Sequence, residues 1–298
     1  MTSLNHLLAA TDFSSSSLHA VDRGFLIAGS TRARYTVLHA LGLEALAGVR
    51  EFLSMDSAAV AMRITDEARE TLTGIVGDSS RNRGLSAHVQ VEPEMAGWAV
   101  PAYAEANGVD LILLGAHGKG FLQRFLLGST ASRLLRKSPC PVLMVKEACR
   151  APYRRALVAV DFSPASELSI RLAREVAPGA DVVLLHVFDV PFEGQLRYAG
   201  VGEDAIHRYR IEARERGLRQ LHDMARVAGV SGTDCTTRVL HGDATRQILF
   251  EEENSDCDLI VIGKHGTHVT EELLLGSVTN RVLAESRSDV LVVLDKRV

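Results

Sequence analysis

Two stretches of this 298-residue chain repeat one spacing: Gly115-x-x-Gly118, nine residues, Gly128-Ser129, and Gly263-x-x-Gly266, nine residues, Gly276-Ser277. Each follows a short apolar run, Leu111 to Leu114 or Leu259 to Ile262. Glycines after a strand permit positive φ and let backbone N–H groups approach a ligand with no Cβ in the way. The Gly-Ser pair then opens a helix, whose first N–H groups and positive dipole end favour an anion. A serine hydroxyl there adds a hydrogen bond. The chemistry expected is the gripping of a phosphate. The four special positions recur in the second copy, whereas between them only His117/His265 and Leu126-Leu127/Leu274-Leu275 are kept and the other residues differ.

Other glycine loops fit poorly. A Walker loop ends G-K-[ST], but Gly118-Lys119 is followed by Gly120, with Leu113 at the first glycine position. A dinucleotide fingerprint belongs after the first strand, and that place reads Thr11-Asp12-Phe13-Ser14. Asp12 and its counterpart Asp161 stand where a first strand ends, at the rim that carries the glycine loop. A carboxylate there binds ribose or holds a phosphate-bound magnesium ion; it equally suits an N-cap for the helix that follows. His117 and His265 lie inside the two loops, as a backbone brace or a phosphate neighbour. The first half offers no second ligand at a fitting spacing for a metal, and His265-x-x-His268 in the second is a single pair without Cys or carboxylate partners, so neither a metal site nor a catalytic residue is assigned. His39 and His186 end apolar runs and read as buried, hydrogen-bonded residues.

The elements that position these groups appear twice. Ala10-Thr11-Asp12-Phe13-Ser14 returns as Ala159-Val160-Asp161-Phe162-Ser163, Leu38-His39 as Leu185-His186, and Pro141-Val-Leu-Met-Val145 as Asp289-Val-Leu-Val-Val293. The offset stays between 147 and 149 residues, so the chain is a duplication. Domains are expected over 1–148 and 152–298, with the seam at Ala151-Pro152. Each half alternates apolar runs with helical patterns: strands near Asn5 to Ala10, Tyr35 to His39, Ala87 to Val91 and Leu111 to Leu114 in the first. A long charged helix is expected at Ala58 to Val76, and again at Ala205 to Ala228 with Ile206, Tyr209, Ala213, Leu221, Met224 and Ala228 as its apolar stripe. Strands apolar on both faces and separated by helices make a parallel, doubly wound α/β sheet. Such sheets bind ligands at the carboxyl ends of their strands.

Composition sets the outer limits. A net charge of −4 with no long run of either sign argues against non-specific nucleic-acid binding. No apolar stretch approaches membrane-spanning length, and the N-terminus lacks the features of a secretory signal. A cytoplasmic protein is expected. Cys140, Cys149, Cys235 and Cys257 form no C-x-x-C pair and read as reduced thiols with packing roles.

The aspartate after the first strand, the Leu-His ending of the second, and G-x-x-G-x9-G-[ST] followed by Pro-Val-Leu-Met-Val resemble the universal stress protein family. The resemblance spans nearly the whole chain, twice, as in the tandem-domain, ATP-binding members. It implies an open five-stranded sheet per domain and an adenine nucleotide (ATP, ADP or AMP, with or without Mg²⁺) at each loop. It also implies pairing through the last strands, as an internal pseudo-dimer or a homo-oligomer. Carried across by position, Asp12 and Asp161 would lie near the ribose or phosphates, and Ala40 and Val187 near adenine. Leu114-Gly115 and Ile262-Gly263 would lie beside the nucleotide. Gly118, Gly128, Ser129 and Gly266, Gly276, Ser277 would hold the phosphates, followed by Thr130 and Val278.

One departure is visible: the turn after the third strand reads Gly242-Asp243 in the second half, as in the family, but Glu92-Pro93-Glu94-Met95 in the first. Lys119 and Arg124 in the first loop, against Glu271 and Glu272 in the second, favour a triphosphate at the first. A nucleotide-binding regulator is the leading function. An ATPase or phosphotransferase would need a base, a cationic clamp and metal ligands, and no such set forms a known pattern. An ATP-pyrophosphatase-like enzyme would need a Ser-Gly-Gly type loop that Asp12-Phe13-Ser14 is not.

Overall fold

The computed structural model describes residues 4–46, 57–116, 128–190, 198–199, 201–230, 235–266 and 275–294. The chain divides into two compact units, Met1–Pro152 and Tyr153–Val298.

The first unit runs β1 (His6–Thr11), α1 (Ser15–Thr31), β2 (Arg34–Ala40), α2 (Ser57–Gly77), a short α3 (Ser79–Asn82), β3 (His88–Glu92), α4 (Ala96–Ala106), β4 (Leu111–Gly115), α5 (Ser129–Lys137) and β5 (Val142–Val145). Its strands lie in the order β3-β2-β1-β4-β5. The second runs β6 (Arg155–Val160), α6 (Pro164–Val176), β7 (Asp181–Phe188), α7 (Glu203–Val227), β8 (Cys235–His241), α8 (Ala244–Asn254), β9 (Leu259–Gly263), α9 (Ser277–Glu285) and β10 (Asp289–Val293). Its order, β10-β9-β6-β7-β8, is the same arrangement. Within each unit every neighbouring pair is parallel.

Burial explains the apolar runs. Leu7, Leu8, Leu111, Leu113, Leu157, Leu259 and Ile260 have no exposed surface, because helices cover both faces of each sheet. A carboxylate fixes the register at the amino end of each sheet. Asp110 Oδ2 accepts Asn5 N at 2.8 Å and His6 N at 3.0 Å, and Asp258 accepts Arg154 N and Arg155 N in the same way. These pairs tie β4 to β1 and β9 to β6.

The stripe expected on α7 is corrected. Its buried residues are Ile206, Gly217, Leu221 and Ala225, whereas Tyr209 is exposed. Gly217 carries no apolar signal, yet it sets the facing side. A Cβ there would stand 3.2 Å from both His186 and Val239, so the helix rides on the sheet at that point.

All four cysteines are free thiols, with Cys140 and Cys257 buried. Burial pushes the Cys257 thiol up to about 12, which leaves it inert as a nucleophile. No helix among the described residues is long and apolar enough to cross a membrane.

Candidate functional site

The sheet order reverses between β1 and β4, and there the carboxyl ends of the strands part to leave a cleft. It holds about 470 Å³, within the range of roughly 300–1,000 Å³ usual for small-molecule sites. Thr11 and Asp12 from the end of β1, Ala40 from β2, Leu114 and Gly115 from β4, and Gly128, Ser129 and Thr130 at the start of α5 all line it. Every candidate in the first half therefore reaches one cleft, except Gly118, which lies outside the described residues, as do His117, Lys119 and Arg124.

The sequence reading missed the opposite wall: Gly42, Met95, Ala96, Gly97, Val100 and Arg133 also line the cleft. Gly42 adopts φ +63°, and Met95 packs against its Cα face. Backbone N–H groups of Leu41, Gly42 and Leu43 donate to the carbonyls of Glu92, Glu94 and Pro93 at 2.8, 3.1 and 2.8 Å. The unusual Glu-Pro-Glu-Met turn thus zips onto the end of β2. The only advance signal was the departure of that turn from its counterpart.

The start of α5 has the expected form. Gly128 is the N-cap, and among the described residues no side chain caps the helix, whose first residues line the cleft. Gly276 is placed identically on α9. The proposed reason for the first glycine of each loop needs correction. Gly115 has no positive φ; it is glycine because β4 meets the start of α1. A Cβ there would lie 2.6 Å from the Ser16 carbonyl carbon and 2.7 Å from Ser17 N.

Neither aspartate is the N-cap. Ser14 caps α1 through its hydroxyl, and Ser163 holds the same position on α6. Asp12 Oδ1 instead accepts Ser14 N at 3.0 Å, a local turn that fixes the carboxylate beside the cleft. The residue between is Phe13 at φ +64°, and Phe162 repeats it at +63°. A bulky residue in that region costs on the order of 1–3 kcal/mol. Each ring lies on the histidine that ends the next strand: Phe13 on His39 at 4.1 Å, Phe162 on His186 at 4.2 Å. Each histidine donates Nδ1–H to the end of the first strand, His39 to Thr11 O at 2.7 Å and His186 to Val160 O at 2.8 Å. Both rings are half-buried rather than buried. They brace the turn that presents the aspartate.

The two units treat that aspartate differently. In the first, the Ser17 hydroxyl is hydrogen-bonded to Thr11 Oγ1 at 2.8 Å. In the second, Val160 replaces the threonine, and the Ser166 hydroxyl donates to Asp161 Oδ1 at 2.8 Å. Ser163 N and its hydroxyl donate to the same oxygen, so three donors from the helix start converge on it. The other oxygen, Oδ2, lies 3.3 Å from where a Gly266 Cβ would stand. Gly276 N donates to Lys264 O at 2.9 Å, and Thr279 Oγ1 to Gly263 O at 2.8 Å, which closes the loop glycines onto the start of α9. Val187, Ile262, Ser277 and Val278 sit at the ends of β7 and β9 and the start of α9. Glu271 and Glu272 lie outside the described residues.

No group of three or more His, Cys, Asp or Glu side chains suited to a metal occurs among the described residues. Two histidines make the fold sensitive to acid. Burial, the largest cause, lowers the pKa of His6 and His186 below the ordinary 6.5. For His186, the hydrogen bond to Val160 and the charge of Asp161 oppose that shift without cancelling it. A folded pKa below the unfolded one means that protonation favours unfolding. This stability is fully present above pH 6.5 and is lost as pH falls through the lowered values. We expect the melting temperature to drop between pH 7 and 5, with a shallower drop in His186→Gln; an identical slope would refute the assignment.

Comparison with known proteins matches residues 4–146 and again 152–293 to the family described as Universal stress protein family. A universal stress protein of Mycobacterium tuberculosis (strain H37Rv) is 28% identical over 239 residues, covering 76% of this chain and 77% of the relative. One from Coxiella burnetii is 33% identical over 144 residues, 47% of this chain and 94% of the relative. Among solved structures, a universal stress protein from Archaeoglobus fulgidus has the same fold, with a TM-score of 0.67 at 20% identity, covering 99% of both chains.

Proposed function

Because the chain belongs to the universal stress protein family, with two copies of its domain, we propose that it binds an adenine nucleotide and acts as a regulator rather than a fast enzyme. The observation that carries this reading is the cleft of about 470 Å³ at the reversal point of the first sheet, onto which an uncapped helix start opens. The start of α5, with Ser129 and Thr130, suits the phosphates. Asp12 suits the ribose or a magnesium ion on the phosphates, and the apolar wall of Ala40, Leu41 and Met95 suits a flat base.

The first unit is the tighter site in this reading. Three donors from its own helix start already share Asp161 Oδ1, which leaves Oδ2 to a ribose hydroxyl or a metal ion. Asp243 also caps α8, accepting Arg246 N at 2.9 Å, and adds a carboxylate where the first unit has Met95. A negative charge at that rim repels a polyphosphate.

Slow hydrolysis is the second reading, and the same cleft would host it. Calorimetric titration with ATP, ADP, AMP and cyclic AMP, with and without Mg²⁺, tests the first. We expect micromolar binding of at least one of them, and phosphate release no faster than trace. Silence toward all four would overturn the proposal, and sustained turnover would favour the enzyme.

A further inference from the structure

Resting on the nucleotide reading of the first cleft, we propose that Arg133 is a phosphate-binding residue of that cleft and that Gly97 exists to let it reach. Arg133 lines the cleft and makes no hydrogen bond or ion pair with any described residue. It stands on α5, four residues after Ser129 and three after Thr130, hence on the same helix face. Side chains on a helix tilt toward its amino end, so the arginine is aimed back at the phosphate-facing start of α5. Its stem crosses the first turn of α4 at Gly97, where a Cβ would stand 2.8 Å from the Arg133 Cδ. A glycine at that point leaves the crossing open. The guanidinium then reaches the mouth, where its planar fork suits two phosphate oxygens at once.

The second unit keeps the arginine, as Arg281, but replaces the glycine with buried Thr245. By position, a threonine Cβ falls where the first unit leaves room for the stem. The pairing of Gly97 with Arg133 is thus a device of one cleft, and it selects for ligands bearing phosphate over the bare nucleoside.

The chain's one tryptophan, Trp98, adjoins Gly97 and carries Lys137 3.5 Å above its ring. Its fluorescence belongs to the first unit alone, one residue from the cleft-lining Gly97. ATP and adenosine are titrated into the full-length chain, followed by Trp98 emission and by calorimetry, for wild type, Arg133→Met, Arg133→Lys and Gly97→Thr. The exposed arginine can be replaced without touching the core, so Arg133→Met keeps the test valid if Gly97→Thr folds poorly. Arg133→Met should lower ATP affinity about tenfold, the lower end for a charge-assisted hydrogen bond, and leave adenosine unchanged. Arg133→Lys should recover part of the loss, and Gly97→Thr should match Arg133→Met, with the double variant no worse than either. Unchanged ATP affinity in Arg133→Met would overturn the inference. Equal losses for ATP and adenosine would also overturn it, since the arginine would then be touching the base. A wild-type chain that takes up neither ligand overturns the nucleotide reading itself, and this inference with it.

Discussion

Gly115→Ala should destabilise the first unit by about 3 kcal/mol, the upper range for overpacking a rigid site, and should remove nucleotide binding with it. The added Cβ would meet backbone, the Ser16 carbonyl carbon at 2.6 Å and Ser17 N at 2.7 Å, so no side chain can swing aside. Relief requires α1 to move off β4. That movement carries Ser14 away from Asp12, whose carboxylate it orients at 3.0 Å, and breaks the Thr11–Ser17 hydrogen bond at 2.8 Å. Stability and the site therefore fail together. The control is Gly263→Ala at the equivalent position, where the nearest atom would be His265 O at 3.1 Å, in a turn that can give. It should cost about 1 kcal/mol, a common value for a single substitution. Urea unfolding followed by Trp98 reads the first unit, and circular dichroism reads the whole chain. Equal losses at the two glycines would show that the motif, rather than the contact with α1, governs the cost.

That contrast shows what the sequence carries and what it does not. The alternation of elements was legible because parallel strands buried on both faces leave unbroken apolar runs, such as Leu111 to Leu114. Gly128 and Gly276 were legible as helix starts, since a helix start depends on local residues only. The reason for Gly115 was not legible. Close approach between β4 and α1 depends on how a helix 90-odd residues away in sequence lies on the sheet, and a glycine motif looks the same for close approach as for positive φ. Phe13 and Phe162 were missed for the converse reason. Nothing about a phenylalanine signals a left-handed backbone; the histidine rings at 4.1 and 4.2 Å that accompany it come from the next strand. The wall of Met95, Gly97 and Arg133 needs the packing of α4 on α5, which no local pattern encodes.

Packing that is invisible in one half can be read by laying it against the other. Gly24 of α1 sits under Tyr35 of β2, and a Cβ there would lie 2.2 Å from the tyrosine oxygen and 2.4 Å from its ζ carbon. The ring is buried, edge-on to Phe25 at 4.9 Å, with its hydroxyl donating to Val21 O at 2.8 Å. The second unit solves the same contact between helix and strand with buried Ala173 and Val182, the methyl restored and the ring removed. The two pairs are alternative fillings of one space. Gly24→Ala alone should cost about 3 kcal/mol or more, because the collision involves the ring itself and a phenylalanine at 35 would not relieve it. Tyr35→Val alone should cost about 3 kcal/mol through the cavity left by the ring and the lost hydrogen bond of its hydroxyl. Combined, they recreate the second unit's pair, and the double variant should recover about 2 kcal/mol against the sum of the singles, within the range of coupling for residues in contact. A double-mutant cycle in urea, followed by Trp98, measures it. Strict additivity would mean that the helix and strand adjust independently, and that the duplication has kept these pairs for a reason other than fit.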